Sequence, residues 1–377
     1  MRSIVNHLAS DNHHVTLTLS SRRILHRQKA QDAVMLESFS PDYATARERF
    51  LDAVPRAGGL TIGLPVDGQG PDGDPLSIDV AWFGAAKPRT AVLHIAGTHG
   101  VDGFTAAAAQ LTLLEQGLPP IPDGVAVILV HCLNPYGMAW LRRADADNID
   151  LNRNLCDDHA SVGMPDAYAQ LDGLLNPASP PSMDFFPLRL RWTLLRSGPL
   201  GLQRAMQTGQ STNPRGLFYV GAGVQPALAR FLDWLSSALA DAARIISVDV
   251  HAGSQDMLMV DADTLPGIAE RFSSATARPV DEAGTLAAHL PQRFPDADVI
   301  ALSQELRASS AVRILHALRE ENRWHHYGDG DVQHNSRRRL QDALTPPVPG
   351  WRREAAGRCL DLIADVFDMV GIVKTSE

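Results

Sequence analysis

Histidine and carboxylate side chains recur where apolar segments of this chain end. The run TAVLHIA is followed by His99 and Asp102, and the run RIISVDV is followed by His251. A later apolar run, which begins at residue 298, is followed by Glu305. Two imidazoles and two carboxylates are groups that can bind a catalytic zinc ion and transfer protons beside it.

The spacing of these residues favours a metal site. His99 and Asp102 are three residues apart at a predicted helix start, so both can face one point, and His251 can complete the site from another strand. Catalytic zinc takes three protein ligands and keeps one position for water, whose pKa it lowers to about 7. We therefore predict one zinc ion held by His99, Asp102 and His251, with Glu305 as the carboxylate that transfers the proton of the water.

A tetrahedral intermediate of amide hydrolysis needs positive charge near its oxyanion. Arg143 and Arg153 follow the apolar run VAVILVHCL, and either of them could supply that charge. The sequence contains no GxSxG, HExxH or P-loop motif, which excludes α/β-hydrolase, thermolysin-type and Walker-type enzymes.

Alternating strands and helices position these groups. The predicted strands are Leu76–Phe83, Thr90–Ala96, Val125–Leu133, Arg244–Val250 and Asp298–Ser303. The predicted helices are Tyr43–Val54, Phe104–Gln116, Asp184–Gln207, Gln225–Ala242, Ser310–Trp324 and Arg352–Val370. Continuous apolar runs suit strands that are buried on both faces, so we predict a three-layer α/β sandwich with a mixed, mostly parallel sheet. Chemistry in such sheets lies beyond the carboxyl ends of the strands.

Two details of these elements can be tested by the structure. Ser40, Pro41 and Asp42 predict a helix start with Ser40 as the N-cap. His94 and His131 lie within apolar segments, and we expect both to be hydrogen-bonded histidines of the core.

Composition excludes several classes of protein. The 377 residues are 45% hydrophobic and carry a net charge of −9, which argues against a nucleic-acid partner. No apolar run approaches the ~20 residues of a membrane span, so we expect no membrane partner. The three cysteines form no regular framework, which indicates a reducing compartment and predicts a cytoplasmic protein.

The first 34 residues differ from the rest. They carry five basic and two acidic residues and contain no glycine or proline. They lack the long apolar core of a secretory signal, and their acid-poor character only faintly suggests an organelle transit peptide. We expect residues 1–34 to be a disordered leader or upstream extension, and residues 35–377 to form one catalytic domain.

The order of these motifs resembles the zinc carboxypeptidase superfamily, which is carboxypeptidase A-like. It is most similar to an uncharacterised bacterial carboxypeptidase-like branch with the pattern GTHGxEG, NPYGxAWxRRxxxxNxDLNRN, DxHxG and a later glutamate. The segment NPYGMAWLRRADADNIDLNRN carries most of the specificity, and the resemblance runs from about Phe39 to beyond Asp329. It implies that residues 35–377 form a zinc-peptidase-like catalytic domain with a zinc-dependent exopeptidase fold.

The resemblance also implies roles for individual residues. His99 and His251 fall on the histidine ligands of the family, and Asp102 stands where a glutamate ligand is usual. If Asp102 is a tolerated ligand, Asp102→Glu should preserve or raise the affinity for zinc. A weaker metal site and a degraded site are the alternatives.

Four further residues match functional positions of the family. Asn152 and Arg153 match the pair that holds the terminal carboxylate of the substrate, and Arg143 matches the arginine that polarises the scissile carbonyl. Glu305 matches the general base and acid, although Leu306 and Arg307 depart from the branch pattern that follows it. Residues 209–219 resemble a family loop of unknown role.

These assignments leave three hypotheses. The first is a zinc metallopeptidase of carboxypeptidase type, which cleaves a peptide bond next to a substrate carboxylate. The second is a deacylase of the aspartoacylase and succinylglutamate desuccinylase kind, which hydrolyses an N-acyl amino acid. The third is a non-catalytic binding protein on the same fold. The expected partner is thus a small peptide or an N-acyl amino acid.

Overall fold

A computed structural model describes residues 33–197, 206–260, 277–279 and 284–373. Within these residues, eight strands form one sheet in the order β1-β2-β4-β3-β5-β8-β6-β7. The strands are β1 Leu60–Gln69, β2 Pro75–Gly84, β3 Thr90–Ile95, β4 Val125–Val130, β5 Arg244–Gly253, β6 Met257–Val260, β7 Ala277–Pro279 and β8 Asp298–Arg307.

Helices lie on both faces of this sheet and beyond its edge. They are α1 Tyr43–Arg56, α2 Gly103–Gln116, α3 Pro135–Ala139, α4 His159–Val162, α5 Asp166–Leu175, α6 Phe186–Ser197, α7 Pro226–Ala238, α8 Leu286–Arg293, α9 Ala311–Tyr327, α10 Asn335–Leu344 and α11 Pro349–Met369. Two short 3₁₀ helices, Gly100–Asp102 and Leu151–Arg153, lie in loops after β3 and β4.

The alternation of side chains along the central strands produces two separate cores. Val92 of β3 packs in one core with apolar side chains of α1, α2 and α11. Leu93, its neighbour, packs in the other core with side chains of α7 and α8. Successive strand residues point to opposite faces, so a continuous apolar run requires a helical layer on each side. The predicted three-layer α/β sandwich is confirmed.

The predicted mixed sheet is also confirmed, and its parallel part lies at the centre. The strands β4, β3, β5 and β8 are neighbours and run parallel to one another. The pairs β1–β2, β2–β4 and β6–β8 are antiparallel. The four parallel strands are those that carry or precede the candidate site residues, and because they run parallel their carboxyl ends meet at one edge.

Three strands were absent from the sequence-based prediction. They are β1, β6 and β7, which lie at or near the two ends of the sheet. The residues of β1 are mostly exposed and include Pro65, so this edge strand lacks an apolar run. The N-cap of α1 is Asp42, whose carboxylate accepts a hydrogen bond from the Thr45 N–H, and the prediction of Ser40 was wrong.

Of the predicted helix over 184–207, the structure describes helix α6 from Phe186 to Ser197, and residues 198–205 lie outside the described residues. The predicted leader, residues 1–34, lies outside the described residues except for its last two. Among the described residues, no helix is long and apolar enough to cross a membrane.

One of the two core histidines departs from expectation. His94 Nδ1 lies 3.0 Å from the Gln110 side-chain nitrogen, which gives it a polar neighbour. His131 is buried against Phe50, with ring centroids 4.6 Å apart, and neither of its ring nitrogens has a hydrogen-bond partner among the described residues. Burial lowers the pKa of His131 to about 4.

The substitution His131→Phe should make the protein less sensitive to acid. The unfolded chain protonates this histidine near pH 6.5 and the folded chain only near pH 4, so wild-type stability falls as the pH drops between these values. The phenylalanine variant lacks this proton uptake, and we expect it to retain about 3 kcal/mol more of its neutral-pH stability at pH 4. Urea unfolding at pH 7, 5.5 and 4 measures this. If both proteins lose the same free energy of unfolding as the pH falls, His131 is not the group responsible.

Candidate metal centre

The first two candidate ligands lie in the turn that links β3 to α2. Gly97 has a φ of +67°, and it lies so close to Cys132 that a Cβ added at this position would be 2.7 Å from the sulfur. The chain then enters the 3₁₀ helix Gly100–Asp102, with His99 at its N-cap. With three residues per turn, side chains at positions i and i+3 lie over one another. His99 Nδ1 and Asp102 Oδ2 are accordingly 3.2 Å apart.

The third candidate ligand comes from the neighbouring strand β5. His251 Nδ1 lies 3.1 Å from His99 Nδ1 and 3.9 Å from Asp102 Oδ2. All three side chains are buried, and together they form a His–Asp–His group able to hold a metal ion.

The dimensions of this group fit a zinc ion. Zinc bonds of about 2.0–2.1 Å in a tetrahedral arrangement place ligand atoms about 3.3 Å apart. The three distances here, 3.1, 3.2 and 3.9 Å, correspond to one face of such a tetrahedron. Asp102 Oδ1 is buried without a hydrogen-bond partner among the described residues, which is an expensive arrangement unless a cation compensates it. The residues therefore fit the metal that the sequence implied.

Arg143 contacts the same histidine from the other side. Its Nη2 lies 2.8 Å from His99 Nε2. Arginine only donates, so this contact puts the lone pair of His99 on Nε2 and its proton on Nδ1. To bind a metal beside Asp102 and His251, His99 needs its lone pair on Nδ1. Its Nε2 would then carry the proton and donate to Asp150 Oδ1, which is 3.5 Å away. We therefore expect metal binding to separate Arg143 from His99.

Asp249 lies beside the second ring nitrogen of His251. Its Oδ2 lies 3.0 Å from His251 Nε2, and its Oδ1 accepts a 2.7 Å hydrogen bond from the Thr98 hydroxyl. Asp249 and His251 are two residues apart on β5 and so share one face of the strand. The carboxylate and Nε2 are close enough for an ion pair, although Nε2 has no hydrogen-bond partner among the described residues, and Nδ1 is left as the candidate ligand atom.

Replacement of Asp249 by asparagine should weaken metal binding about 10- to 100-fold, because the histidine loses the carboxylate charge that lies 3.0 Å from its Nε2. Chelator competition at constant pH measures this affinity. Asp298→Asn is the matched control, since Asp298 is an exposed carboxylate at the other end of β8. Equal affinities in the two variants would contradict a role for Asp249.

The titration behaviour of the group follows from its burial and its charges. Burial lowers the pKa of His99 to about 4, assisted by the charges of Arg143 and His251. Burial acts in the same direction on His251, but Asp249 and Asp102 outweigh it and raise the pKa of His251 to about 9. Burial acts to raise the pKa of Asp102, yet the hydrogen bond with His99 and nearby positive charge bring it below its usual value.

Glu305 lies beside His251 in the next strand. The two residues are direct register partners of β5 and β8, so their side chains leave the same face of the sheet. The backbone N–H groups of Ser254 and Gln255 donate to Glu305 Oε1 at 3.0 and 3.2 Å. A Cβ at Gly253 would lie 2.0 Å from the same oxygen, so only glycine allows the carboxylate to lie there.

This placement corrects one detail of the sequence analysis. His251 and Glu305 lie within β5 and β8, near their carboxyl ends, and do not follow the strands as predicted. The two strands are longer than the apolar runs because their last residues remain hydrogen-bonded while becoming polar.

Arg143 and Arg153 converge on Asp150 and on one aromatic ring. Arg143 Nε and Arg153 Nη1 each donate to Asp150 Oδ2 at 2.9 Å. Their guanidinium carbons lie 5.6 and 5.4 Å from the ring centroid of Phe218. Arg153 also donates to the Met206 carbonyl, and the adjacent Asn152 accepts a hydrogen bond from the Leu286 N–H.

Two of these groups were not singled out in the sequence. Asp249 shows the i, i+2 spacing to His251 that places both on one strand face, so the DVH triplet contained a usable signal. Phe218 had none, because a ring contact with two arginines depends on the path of the loop. Its φ of +56° turns the chain at that point.

Arg142 has different partners from its neighbour Arg143. Arg142 is fully buried, and its Nε donates to Glu321 Oε1 of α9 at 2.8 Å. Its Nη2 donates to Asn148 Oδ1 at 2.7 Å. Asn148 in turn donates to the Gly216 carbonyl at 2.9 Å. Arg142 therefore ties α9 to the two loops that carry Arg143 and Phe218.

Solved structures similar to the chain include a carboxypeptidase. Carboxypeptidase A from Helicoverpa armigera is 12% identical, with a TM-score of 0.42, over 90% of this chain and 82% of that one. The murein-tripeptide amidase MpaA from Escherichia coli O157 is 19% identical, with a TM-score of 0.34, over 70% of this chain and 92% of that one. The ectoine utilization protein EutE (DoeB) from Ruegeria pomeroyi is 13% identical, with a TM-score of 0.38, over 84% of this chain and 69% of that one.

Likeness at this level concerns the fold alone. No curated protein matches the chain. The model of a family described as a protein of unknown function, DUF2817, matches residues 39–358. This match spans most of the chain, which therefore belongs to the DUF2817 family.

Proposed function

We propose that this protein is a zinc-dependent hydrolase that cleaves an amide bond next to a carboxylate of its substrate. One observation carries the proposal: His99 Nδ1, His251 Nδ1 and Asp102 Oδ2 converge in a buried group of zinc dimensions, with Glu305 on the adjacent strand. The N–H groups of Ser254 and Gln255 hold the Glu305 carboxylate, and its register with His251 puts the two side chains on one face of the sheet, which favours a catalytic role over metal binding alone.

Zinc, when bound, supplies a Lewis acid that polarises the carbonyl and acidifies water. Glu305 then takes a proton from the attacking water and passes it to the leaving nitrogen. Arg143, released from His99, stabilises the negative charge that develops on the carbonyl oxygen. Its position is fixed by Asp150, which still accepts from its Nε.

Arg153 and Asn152 are the proposed site for the substrate carboxylate. Arg153 is buried beside Arg143, and Phe218 lies against both guanidinium groups. A carboxylate that reached this corner would meet two arginines that share one carboxylate, Asp150, and therefore a net positive charge in a setting of low dielectric, where charge-assisted hydrogen bonds are strong. Binding there would place the adjacent amide near the His–Asp–His group.

The decisive experiment combines metal analysis with a substrate panel. Purified protein is loaded with zinc, its zinc content per chain is measured, and it is assayed on C-terminal peptides and on N-acyl amino acids. We expect one zinc per chain and turnover of at least one panel. Peptide turnover supports carboxypeptidase action, and turnover of N-acyl amino acids alone supports the deacylase. Protein that stays free of metal after zinc supplementation contradicts the proposal.

Asp102→Glu tests whether the site is built for the shorter carboxylate. The family resemblance favours unchanged or higher zinc affinity, but the geometry argues for the opposite result. Asp102 Oδ2 already reaches both histidines and accepts from the Ala252 N–H at 3.2 Å. An extra methylene in this buried position forces the neighbours apart, so we expect zinc affinity to fall about tenfold. A rise in affinity in chelator competition would show that the aspartate is a weakened substitute.

We also propose a cytoplasmic location. Cys132, Cys156 and Cys359 are all unpaired, and Cys132 and Cys359 are buried in the core. Free thiols persist in a reducing compartment, whereas secreted proteins commonly pair them. Mass spectrometry of alkylated protein from fractionated cells tests the proposal.

A further inference from the structure

Helix α6 exposes large apolar side chains. Ten such side chains are exposed in the described part of the chain, and five of them lie between residues 183 and 195, each 59–90% exposed. They form what we call the α6 stripe: Met183, Phe185, Leu188, Trp192 and Leu195. Single exposed apolar residues are ordinary on protein surfaces, but a cluster of this kind marks an interaction site.

The helix has two apolar faces with different environments. Phe186 and Leu190 are buried, and the Phe186 ring stacks on His316 of α9 with centroids 5.1 Å apart. Leu188, Trp192 and Leu195 follow the i, i+4, i+7 spacing of a separate stripe on the outer side. One face therefore attaches the helix to the protein, and the side chains of the other are mostly exposed.

The segment before the helix is firmly attached. Arg319 and Arg323 of α9 are buried, and Arg319 pairs with Asp184. Arg323 donates to the hydroxyl groups of Ser179 and Ser182 at 3.0 Å. The stripe is thus presented on an anchored support. Phe185 even adopts a φ of +55°, which is rare for a bulky residue and directs a ring outward from this support.

The charged residues of α6 indicate which kind of partner the α6 stripe would contact. Arg189 and Arg191 are exposed on the same helix, within a chain whose net charge is −9, and Arg189 also lies 3.8 Å from Asp184 Oδ2. An apolar stripe with tryptophan, phenylalanine and leucine beside arginines is the composition of helices that lie in a membrane interface. Pairing of the stripe with its copy on a second chain would bring the arginines of both helices together, which disfavours a symmetric dimer.

We propose that the α6 stripe adsorbs this protein to anionic phospholipid surfaces. The apolar side chains enter the headgroup boundary, and Arg189 and Arg191 contact lipid phosphates. The lack of a spanning helix, on which the sequence-based expectation of no membrane partner rests, does not bear on adsorption of a helix at the surface. The proposal is independent of the hydrolase activity.

Sedimentation with vesicles of the full-length protein tests this. We expect binding to phosphatidylcholine vesicles that contain about 30% phosphatidylglycerol, at least about tenfold weaker binding to pure phosphatidylcholine, and weakening as salt is raised. The triple variant Leu188→Ser, Trp192→Ser, Leu195→Ser should reduce binding at least about tenfold. Arg189→Glu with Arg191→Glu should reduce binding to the anionic vesicles by a similar factor.

A matched control distinguishes the stripe from apolar exposure in general. Leu60→Ser with Val373→Ser removes exposed apolar groups elsewhere and should leave binding within about twofold. Circular dichroism and thermal unfolding of each variant establish that it is folded. Absence of binding to anionic vesicles, or equal binding by the stripe variant, overturns the proposal. A wild-type dimer in sedimentation velocity that the stripe variant abolishes also overturns it, since the stripe would then join two copies.

Discussion

Glu305→Gln is expected to reduce turnover about a thousandfold while the zinc content stays at the wild-type level. Proton transfer by a positioned side chain contributes about 10²–10⁴-fold to such reactions. Glutamine keeps an oxygen that can accept from the N–H groups of Ser254 and Gln255, so the local structure survives. It cannot take a proton from water, and only the chemical step is affected.

The measurement compares kcat on the substrate found in the panel with zinc per chain determined on the same preparation. Glu354→Gln is the control, because Glu354 is an exposed glutamate on α11 that pairs with Arg358. Loss of zinc together with activity would assign Glu305 to the metal site. Wild-type turnover with zinc retained would remove it from the mechanism, and the proposed hydrolytic route would need another base.

Arg142→Leu is expected to destabilise the protein by about 3–5 kcal/mol, because it leaves a buried carboxylate without its partner. Arg142 and Glu321 are both buried, and the Arg142 Nε–H donates to Glu321 at 2.8 Å. Burial raises the pKa of Glu321 even though Arg142 opposes the shift. Urea unfolding at neutral pH measures the free energy of unfolding.

The double variant Arg142→Leu with Glu321→Leu provides the control. Replacing both charges by apolar groups removes the unpaired carboxylate, so the double variant should be more stable than Arg142→Leu alone. Activity should still fall, because the loops that carry Arg143 and Phe218 lose their connection to α9. A double variant less stable than either single one would show that the pair contributes net stability of its own.

The central part of the fold could be predicted from the sequence because its signal is local. The apolar runs of β3 and β4 are long enough to require burial on both faces, which implies helices on both sides of a mostly parallel sheet. The edge strand β1 has no such run, since its residues are mostly exposed and one is proline. Its place in the sheet comes from hydrogen bonds to β2, which leave no pattern in its side chains.

The candidate site was predictable to a similar extent. His99 and Asp102 are close in sequence, and their convergence needs only a single turn. His251 and Glu305 were found because the carboxyl ends of neighbouring parallel strands meet. Phe218 and the contact between Arg143 and His99 were not found, because they depend on loops that are joined through Arg142.

The sequence by itself determined which side chains are available for chemistry: two histidines, an aspartate and a glutamate beside buried strands. Only the tertiary structure decided that the three candidate ligand atoms lie 3.1–3.9 Å apart, and that Arg142 pairs with Glu321 while Arg143 contacts His99. It also decided that one face of α6 is exposed. The physical reason is that residue type and spacing fix the direction of a side chain within its own element. Distances between elements depend on how separate parts of the chain pack together.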